Sequence, residues 1–440
     1  MPISIPRGFT AFQKTRRVRI VCFNHYVSRS RFLSGRTTNC KDIESQIGRI
    51  MQTCNHKQHP SICLFTALYA PSMGGVETYT HNLAAALSDM GCRVTVVTMN
   101  THSAAPSEAQ GNIEIVRLPC HSMLGGRYPV SKHNKAYRRT MERLAKKPLD
   151  YVVVNTRFYP LSLEGLKFAR QRGITPVLIE HGSAHLSMGS TAINYVVESV
   201  EHTMTVLDKR QQPVCYAVSK KASAWLGHFG IESAGELPNA IDADAYAARA
   251  SNRAFRDELG INPNALLVAS AGRLVPEKGV TQLAQAAGQL ARESRNIHVI
   301  MAGAGPLEAE LTAAATPNLH LVGKLDKHDL AALYQQADVY CLPSRSEGFA
   351  TTLLESAACG TSAIVTNVGG TDELIPSERF GTIISNMEPD TIAAALRQAA
   401  DDRPALQAQG HAAATRVREI CSWQQTAERT LKACEDASFR

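Results

Sequence analysis

Residues 339–360 read VYCLPSRSEGFATTLLESAACG, and this stretch decides the predicted fold. The apolar run at its start predicts a buried strand. Leu354, Ala357 and Ala358 follow at helical spacing, and Gly360 is a helix stop signal. The stretch therefore predicts a strand, a loop and a helix, the repeating unit of an α/β domain.

Two carboxylates flank the predicted helix start, with Glu347 on the loop and Glu355 inside the helix. The first backbone N–H groups of a helix have no partner within the helix, so they suit a phosphate. Carboxylates accept hydrogen bonds from the hydroxyl groups of a sugar or a ribose. The combination predicts a site for a sugar nucleotide.

The alternation of apolar strands and helical segments extends over both halves of the chain. It predicts two doubly wound α/β domains with parallel sheets and right-handed crossovers. The predicted strands of the first half are 62–69, 94–98, 113–117, 151–155, 176–180, 214–218 and 235–237. Those of the second half are 266–271, 297–302, 319–322, 338–342, 362–365 and 381–384.

The chain divides into four predicted parts. Residues 1–60 form a basic N-terminal extension that is predicted to be poorly ordered, and residues 61–250 form the first Rossmann-like domain. Residues 251–415 form the second such domain, because Ala, Asp and Asn replace the apolar runs just before it. Residues 416–440 are predicted to be a C-terminal helix that packs back toward the first domain.

The composition is that of a globular protein, with 44% hydrophobic and 20% charged residues among 440. No apolar run reaches the roughly 18–20 residues that span a bilayer, and no secretory signal peptide is convincing. Eleven cysteines are scattered without a C-x-x-C pair, which predicts reduced thiols rather than disulfides or a zinc site. We therefore expect a cytoplasmic protein.

The net charge of +8 is concentrated at the N-terminus. Residues 1–60 hold 11 Lys and Arg against two acids, whereas the remaining residues hold 36 against 37. No nucleic-acid-binding module accompanies this basic segment, so we predict no nucleic-acid partner. The segment is predicted to be disordered or dispensable, and Met51 is an alternative start.

A second cationic loop, AGRLVPEKG at 271–279, follows the first strand of the second half. Arg273 can bind phosphate oxygens through two N–H groups, and Lys278 can add a mobile positive charge. Ligands of open α/β sheets bind at the carboxyl ends of the strands, where this loop lies. Beside the helix start after Glu347, the loop predicts a phosphate site rather than a solvated surface.

Several ordered motifs carry a family resemblance. They are MGGVE at 73–77, EHG at 180–182, AVS at 217–219, PNAID at 238–242, Gly272-Arg273 with Lys278, and the acids Glu347 and Glu355. With them the chain resembles the retaining glycosyltransferases of family 4, or glycosyl transferases group 1, over about residues 61 to 436. The resemblance implies the GT-B fold, with two Rossmann-like doubly wound parallel-sheet domains facing across a cleft.

The resemblance also implies roles for the charged residues. Arg273 and Lys278 would hold the donor diphosphate and stabilise the leaving group, and Glu355 would accept hydrogen bonds from the ribose. Glu347 would accept them from the transferred sugar. His181 would face the reacting sugar, although a structural role at a strand end remains open for it. Simple helix-start acids remain the alternative for Glu347 and Glu355.

Backbone groups are implied in the remaining roles. The segment Gly348, Phe349, Ala350, Thr351 and Thr352 would bind sugar hydroxyls and the distal phosphate. Gly323, Lys324 and Leu325 would hold the base. Gly74, Gly75, Glu77 and Asn239 would contact the acceptor or a phosphate, since glycine permits a close backbone approach.

The sequence departs from the family pattern where the donor sugar would bind. Ala350 replaces a usual glycine, and Thr351 and Thr352 replace usual apolar residues. The two threonines are predicted to add hydroxyl groups beside the sugar. The identity of the donor sugar therefore cannot be taken from relatives.

Two short motifs imitate other sites. Asp242-Ala243-Asp244 resembles a metal-binding D-x-D, but it lies in a predicted turn and the resemblance implies no metal, so we predict none. Residues 303–308, GAGPLE, imitate a dinucleotide fingerprint but lack its third glycine, which argues against an oxidoreductase.

Residues 132–147 form a basic segment with seven Lys and Arg against Glu142 alone. Tyr137, Met141 and Leu144 share one helical face. The segment predicts either a helix on an anionic membrane surface or an ordinary solvated helix whose apolar residues pack inward. A peripheral position on the inner face of the membrane follows from the first alternative.

The predicted function is retaining transfer of a hexose or N-acetylhexosamine from a UDP- or GDP-sugar, without a metal or other cofactor. The acceptor would be a hydroxyl of a glycan, a glycolipid or a small molecule, as in polysaccharide or lipopolysaccharide biosynthesis. A related epimerase or phosphorylase remains an alternative. So does a non-catalytic sugar-nucleotide binding protein.

Overall fold

The computed structural model describes residues 59–72, 74–123, 126, 128–185, 191–314 and 316–440. Residues 59–440 form one compact unit. The predicted N-terminal extension lies outside the described residues up to residue 58, and so does the alternative start Met51. Met73 of the MGGVE motif also lies outside them.

The first domain is built on a seven-stranded sheet with the order β3-β4-β2-β1-β7-β8-β9. All pairings in it are parallel except that of β3 with β4. A separate antiparallel hairpin joins β5 and β6. The strands are β1 (Ser61–Phe65), β2 (Arg93–Met99), β3 (Ser107–Gln110), β4 (Ile113–Leu118), β5 (Cys120–Met123), β6 (Tyr128–Ser131), β7 (Tyr151–Asn155), β8 (Val177–Glu180) and β9 (Val214–Ala217).

Helices cover both faces of this sheet, so its central strands are apolar along their length rather than alternating. Every residue of β1 is buried. The helices of this half are α1 (Gly75–Asp89), α2 (Lys135–Ala145), α3 (Pro160–Gln171), α4 (Thr191–Lys209), α5 (Lys220–His228) and α6 (Ala243–Ala248).

The second domain is built on a six-stranded, all-parallel sheet with the order β12-β11-β10-β13-β14-β15. Its strands are β10 (Leu266–Ala271), β11 (Ile297–Ala302), β12 (Leu319–Leu321), β13 (Val339–Leu342), β14 (Ser362–Thr366) and β15 (Thr382–Ile384). Its helices are α7 (Phe255–Glu258), α8 (Val280–Arg292), α9 (Glu308–Ala313), α10 (Lys327–Gln336), α11 (Thr351–Ala358), α12 (Thr371–Leu374), α13 (Pro389–Asp401) and α14 (Arg403–Ile420). The predicted fold class, two doubly wound parallel-sheet domains, is confirmed.

The strand predicted at 235–237 is wrong. Only an isolated bridge joins Ala217 to Glu236, with the Leu237 amide donating to the Ala217 carbonyl at 2.8 Å. Pro238 follows and has no N–H to continue the ladder, so the chain leaves the sheet there.

The final helix, α15 (Trp423–Ser438), returns to the first domain and packs on α1. Trp423 meets Tyr79 edge-on with ring centroids 5.5 Å apart. The Thr426 hydroxyl donates to the Pro238 carbonyl at 3.0 Å. These contacts tie the end of the chain to the first domain. Among the described residues, no helix is both long and apolar enough to cross a bilayer.

Candidate active site

A cavity of about 250 Å³ lies where the carboxyl ends of the two sheets meet. Both domains contribute to its wall, as expected for ligand sites of open α/β sheets. Residues of the first domain in the wall include Thr66, Leu68, Gly75, Glu77, Asn155, Tyr159, His181 and Asn239, and those of the second are Glu347, Gly348 and Phe349.

The two domains touch at Gly348. A Cβ added to this glycine would lie 1.7 Å from the His181 carbonyl oxygen, so the two backbones are in direct contact. The Ser183 hydroxyl donates to the Glu347 carbonyl at 2.6 Å, and the Ser219 hydroxyl donates to the Gly348 carbonyl at 2.7 Å. The loop after β8 is therefore held directly against the loop before α11.

We expect Gly348→Ala to lower kcat/KM for the predicted sugar transfer by about 100-fold, because a displacement of about 1 Å in reacting groups has that effect. The new methyl group must push the His181 loop away, while each domain keeps its own core. Steady-state transfer kinetics measure the loss of activity. Nucleotide binding shows whether the second domain remains intact. Gly227→Ala is the control, since its Cβ would meet nothing within 4 Å. Unchanged transfer by Gly348→Ala would show that the contact is dispensable.

Lys278 and Glu347 form an ion pair at the wall of the cavity. The Lys278 Nζ contacts Glu347 Oε1, and the Ser344 hydroxyl donates to the same oxygen at 2.9 Å. The two side chains are only 21% and 13% exposed, so the pair is shielded from bulk water. The structure thus brings together two residues that the sequence separates by 69 positions.

The loop that carries Lys278 is locked onto the end of β13. Gly279 has a φ of +68°, and a Cβ there would lie 2.1 Å from the Pro343 carbonyl oxygen. The Ser344 hydroxyl and the Arg345 amide both donate to the Glu277 carbonyl, at 3.0 and 2.8 Å. This locking positions the lysine beside Glu347.

Arg273, on the same loop, is exposed, and its guanidinium has no hydrogen-bond or ion-pair partner among the described residues. It shares a shallow depression with Lys278. The glycines of the GAGPLE segment have a packing role here. A Cβ on Gly303 would lie 1.9 Å from the Gly272 carbonyl oxygen, and one on Gly305 would lie 2.4 Å from that of Leu274.

The start of α11 presents unused backbone donors. The Ala350 amide donates to the Gly369 carbonyl at 2.9 Å, but within the described part of the chain the Phe349, Thr351 and Thr352 amides have no acceptor. The Thr352 hydroxyl accepts a hydrogen bond from Tyr340 at 2.6 Å. It therefore has a buried partner, whereas the Thr351 hydroxyl has none among the described residues.

Glu355 lies on α11, away from the walls of the cavity. Burial raises the pKa of its carboxyl to about 7, and Lys327, Tyr246 and Arg249 oppose this shift only in part. The ordinary value is 4.5, so the group changes charge near neutral pH rather than in acid. The ionised form accepts hydrogen bonds better than the neutral form.

If Glu355 binds the ribose as predicted, binding of a nucleotide sugar should tighten by up to about tenfold between about pH 6 and pH 8, as Glu355 loses its proton. Titration calorimetry at the two pH values measures the change, and Glu355→Gln should abolish the pH dependence. A nucleotide sugar that lacks the ribose 2′-hydroxyl should show a smaller dependence. A wild-type affinity that is flat over this range would contradict the assignment of Glu355 to the ribose.

His181 is held in one orientation. Asn155 donates to the Thr80 hydroxyl through its amide nitrogen at 3.2 Å, so its oxygen accepts from His181 Nε2 at 2.9 Å. Glu180 Oε1 accepts the backbone N–H of His181 at 2.9 Å. Burial lowers the pKa of His181 to about 3, so the ring is neutral at physiological pH. It can orient a hydroxyl, but it does not bring a positive charge to the cavity.

At the first-domain loop, the Glu77 carboxylate folds over Gly74. A Cβ on Gly74 would lie 2.3 Å from Glu77 Oε2, whereas one on Gly75 would meet nothing within 4 Å. Burial raises the pKa of Glu77. A carboxylate thus already occupies the N-terminus of α1, which favours a hydroxyl rather than a phosphate beside this loop.

Of the other predicted site residues, Asn239 lines the cavity and residues 323–325 do not. Asn239 is buried in the cavity wall. Gly323, Lys324 and Leu325 follow β12, where the Gly323 carbonyl accepts from the Gly303 amide at 2.8 Å, and they do not line the cavity.

Asp242 and Asp244 have structural roles. Asp242 caps α6 by accepting from the Ala245 amide at 3.1 Å, and Asp244 pairs with Arg418 at 2.7 Å.

Sequence reasoning missed several residues of the site. Asn155, which orients His181, ends β7, and its position at the carboxyl end of a strand was the available signal. Ser219 lies in the AVS motif, but its contact with Gly348 across the cleft has no sequence signal. Ser183 is likewise identified only by its contact with the other domain.

Two Rossmann-like parallel-sheet domains that enclose a cavity at their carboxyl edges form the GT-B fold of glycosyltransferases. The family model for Glycosyltransferase Family 4 matches residues 73–245, and that for Glycosyl transferases group 1 matches residues 251–416. The chain belongs to this glycosyltransferase family, and the predicted family is confirmed.

Relatives by sequence have similar lengths. A D-inositol 3-phosphate glycosyltransferase of Paenarthrobacter aurescens is 25% identical over 84% of this chain and 94% of its own. A GDP-mannose-dependent monoacylated phosphatidylinositol monomannoside mannosyltransferase of Corynebacterium glutamicum is 25% identical over 82% and 94%.

Solved structures share the fold. Sucrose-phosphate synthase from Thermosynechococcus elongatus superposes with a TM-score of 0.65 at 20% identity, over 86% of this chain and 99% of its own. Anabaena HepE in complex with UDP and glucose superposes with a TM-score of 0.64 at 17% identity, over 86% and 100%.

Proposed function

We propose that this glycosyltransferase moves a hexose or N-acetylhexosamine from a UDP- or GDP-sugar to a hydroxyl acceptor, with retention of the anomeric configuration. The observation that carries the proposal is the shielded pair of Lys278 with Glu347, a residue of the cavity wall, beside the unused amides at the start of α11. A cation, an acid and free backbone N–H donors on two neighbouring loops suit a diphosphate joined to a sugar.

In the proposed mechanism, Arg273 and Lys278 neutralise the charge that develops on the departing nucleoside diphosphate. Glu347 accepts hydrogen bonds from the transferred sugar and holds its reacting carbon toward the cavity. No nucleophilic carboxylate is assigned, because Glu347 is already bound by Lys278 and Ser344. The leaving phosphate then accepts the proton of the acceptor hydroxyl on the same face of the sugar.

The first domain supplies the acceptor side. Neutral His181 and Asn239 line the same cavity as Glu347, and Glu77 disfavours an anion at the start of α1. Two relatives carry names that include D-inositol 3-phosphate and a phosphatidylinositol mannoside. We propose a polyol, glycan or glycolipid hydroxyl as the acceptor, in cytoplasmic synthesis of a cell-surface glycan or glycolipid.

The test has two stages. UDP- and GDP-sugars are first screened by thermal shift, because a ligand that binds the folded state raises the melting temperature. The stabilising donor is then incubated with inositol phosphates, phosphatidylinositol and short glycans, and NMR reads the anomeric configuration of the product. An inverted product would overturn retention. A free sugar phosphate or an epimerised nucleotide sugar would favour the phosphorylase or epimerase alternative.

We also propose that transfer needs no divalent metal at the diphosphate, since Arg273 and Lys278 supply two positive charges there. Mg²⁺ or Mn²⁺ added to metal-depleted enzyme should change the rate less than about twofold. A strict requirement for either ion would contradict this proposal.

The basic segment at 132–147 supports a membrane contact of one kind only. In α2, Tyr137 and Leu144 are buried and Met141 packs against the core, so the apolar face is not free to enter a bilayer. Arg138 and Arg139 are exposed. We therefore propose a purely electrostatic contact between this helix and an anionic membrane surface.

Binding to anionic vesicles should weaken by at least about tenfold when Arg138, Arg139 and Arg143 are replaced by Ala, at about 1 kcal/mol per cation near the surface. Vesicle co-sedimentation at low and high salt measures it. Removal of residues 1–50 should leave binding in place. Replacement of Arg292, Arg295 and Arg397 on the second domain is the charge-matched control. Equal binding by the α2 triple variant would remove α2 from the membrane contact.

A further inference from the structure

Three histidines from three separate elements converge on one face of the first domain. His185 lies in the connection after β8, His202 lies on α4, and His228 ends α5. Their nitrogen ligand atoms all lie within 4.8 Å of one another. We propose that these histidines form a binding site for a divalent transition-metal ion of the zinc class, distinct from the sugar-transfer site.

The ring positions match tetrahedral coordination. The ring centroids of His185 and His202 are 5.6 Å apart, those of His185 and His228 are 5.3 Å apart, and those of His202 and His228 are 5.4 Å apart. A tetrahedral ion with metal–nitrogen bonds of about 2.0–2.1 Å holds imidazole centres about 5.2 Å apart. The ring centres need shifts of only a few tenths of an ångström. Ring rotations must also bring the nitrogen atoms, which lie up to 4.8 Å apart, to the separation of about 3.4 Å that such bonds require.

The tautomer of His185 is set for metal binding. Its Nδ1 lies 2.7 Å from Glu201 Oε2, so Nδ1–H donates to the carboxylate and the Nε2 lone pair is left to bind a metal. A carboxylate behind a ligating histidine is the common arrangement in zinc sites, where it fixes the ring and makes the nitrogen more basic. This contact is an observation independent of the clustering.

Aromatic side chains hold the rings in place. Trp225 stacks on His228 with an angle of 4° between the ring planes and centroids 4.8 Å apart. Phe229 packs against the rings of His202 and His228, with centroids 4.8 Å away in both cases. An apolar shell of this kind orders the ligands and lowers the local dielectric constant.

The donor set decides the class of ion. Neutral imidazole nitrogens suit Zn²⁺, Ni²⁺, Cu²⁺ and Co²⁺, whereas Mg²⁺ and Ca²⁺ prefer oxygen ligands. His202 and His228 are exposed, so the remaining coordination position faces solvent. The site is therefore open to exchange with ions in solution.

A chain of ion pairs links this site to the cavity. Glu201, which holds His185, also accepts from Arg157 at 2.7 Å, and Arg157 pairs with Glu180 at 2.8 Å. Glu180 holds the backbone of His181 in the cavity wall. A metal at the three histidines thus cross-links the loop after β8 to α4 and α5, and stabilises the loop that carries His181.

The test uses the full chain without a polyhistidine tag, stripped of metal by chelation. Titration with Zn²⁺ should give one equivalent per chain. Co²⁺ should give the visible absorption of a tetrahedral site, and Mg²⁺ should give no binding. Zn²⁺ should also raise the melting temperature, because it binds the folded state. None of these readouts needs a sugar nucleotide, so they are independent of the proposed transfer reaction.

Substitutions of His202, His228 and Glu201 test whether these residues form the metal site. His202→Ala with His228→Ala should abolish stoichiometric binding and the thermal shift, and exposure of both side chains should leave the fold intact. Glu201→Gln should weaken affinity by about 10- to 100-fold. His411→Ala, an exposed histidine on α14, is the control. The proposal is overturned if wild type binds no Zn²⁺, or if the double variant still binds one equivalent, which would mark an adventitious ion only.

Discussion

In a Lys278→Ala protein, we expect kcat/KM for sugar transfer to fall by about 10²–10³-fold, which is the usual loss when one group that stabilises transition-state charge is removed. The affinity for the nucleoside diphosphate should fall as well. Lys278 pairs with Glu347 of the cavity wall, and it lies on a loop that is locked onto the end of β13 by Gly279 and Glu277. Its ammonium group is therefore held in place before the donor binds.

Loss of the ion pair with Glu347 is a second reason to expect lower activity in Lys278→Ala. Glu347 is only 13% exposed and pairs with Lys278, so truncation of the lysine leaves a shielded carboxylate without its cation. The carboxylate that should hold the donor sugar would then be misplaced. Both chemistry and binding should suffer, which is why this substitution ranks first.

Steady-state transfer kinetics and calorimetric titration with the nucleoside diphosphate measure the two effects. Arg292→Ala is a matched control, because it removes an exposed cation at the far end of α8, the helix that begins just after Lys278. Full transfer activity in Lys278→Ala would remove the phosphate assignment of this loop.

The Glu347→Gln protein should show a different signature, in which kcat falls by about 10²–10³-fold while donor affinity changes only a few-fold. Glutamine keeps the shape and one acceptor oxygen, so Ser344 retains a partner. The negative charge is lost, and with it the strong hydrogen bonds to the sugar hydroxyls as positive charge develops on the sugar ring.

Separate determination of kcat and the donor dissociation constant tests this prediction, with Glu308→Gln, an exposed acid on α9, as the control. The opposite pattern, with weaker donor binding and unchanged kcat, would make Glu347 a binding residue only. A Lys278→Ala, Glu347→Gln double variant should lose less than the product of the two single losses, because the residues are in contact.

Much of the second domain could be predicted from its sequence. The β13–loop–α11 unit follows from an apolar run, a run of helical spacing and a glycine stop, all within about twenty residues. The structure has the strand at Val339–Leu342 and the helix at Thr351–Ala358. Local periodicity is enough here because a strand that is buried on both faces is apolar along its length, and a helix forms its hydrogen bonds between residues that are close in the chain.

Local sequence patterns were not enough where contacts between distant residues decide the structure. The strand predicted at 235–237 is reduced to one isolated bridge, because the Pro238 that follows cannot extend the ladder. The apolar face of α2 fits a membrane and a protein core equally well, and Tyr137 and Leu144 are in the core. The hydrogen bond between the Tyr340 and Thr352 hydroxyls likewise has no sequence signal of its own.

The sequence by itself determined the two parallel-sheet domains through its periodicity. Its motifs carried the family resemblance, which points to Arg273, Lys278 and Glu347 on loops and to Glu355 on a helix. Only the tertiary structure decided that Gly348 lies against His181, since these residues come from different domains. It also decided that three histidines with no motif spacing lie within 4.8 Å of one another. Such contacts depend on how helices and loops pack in three dimensions, and no local sequence pattern predicts that packing.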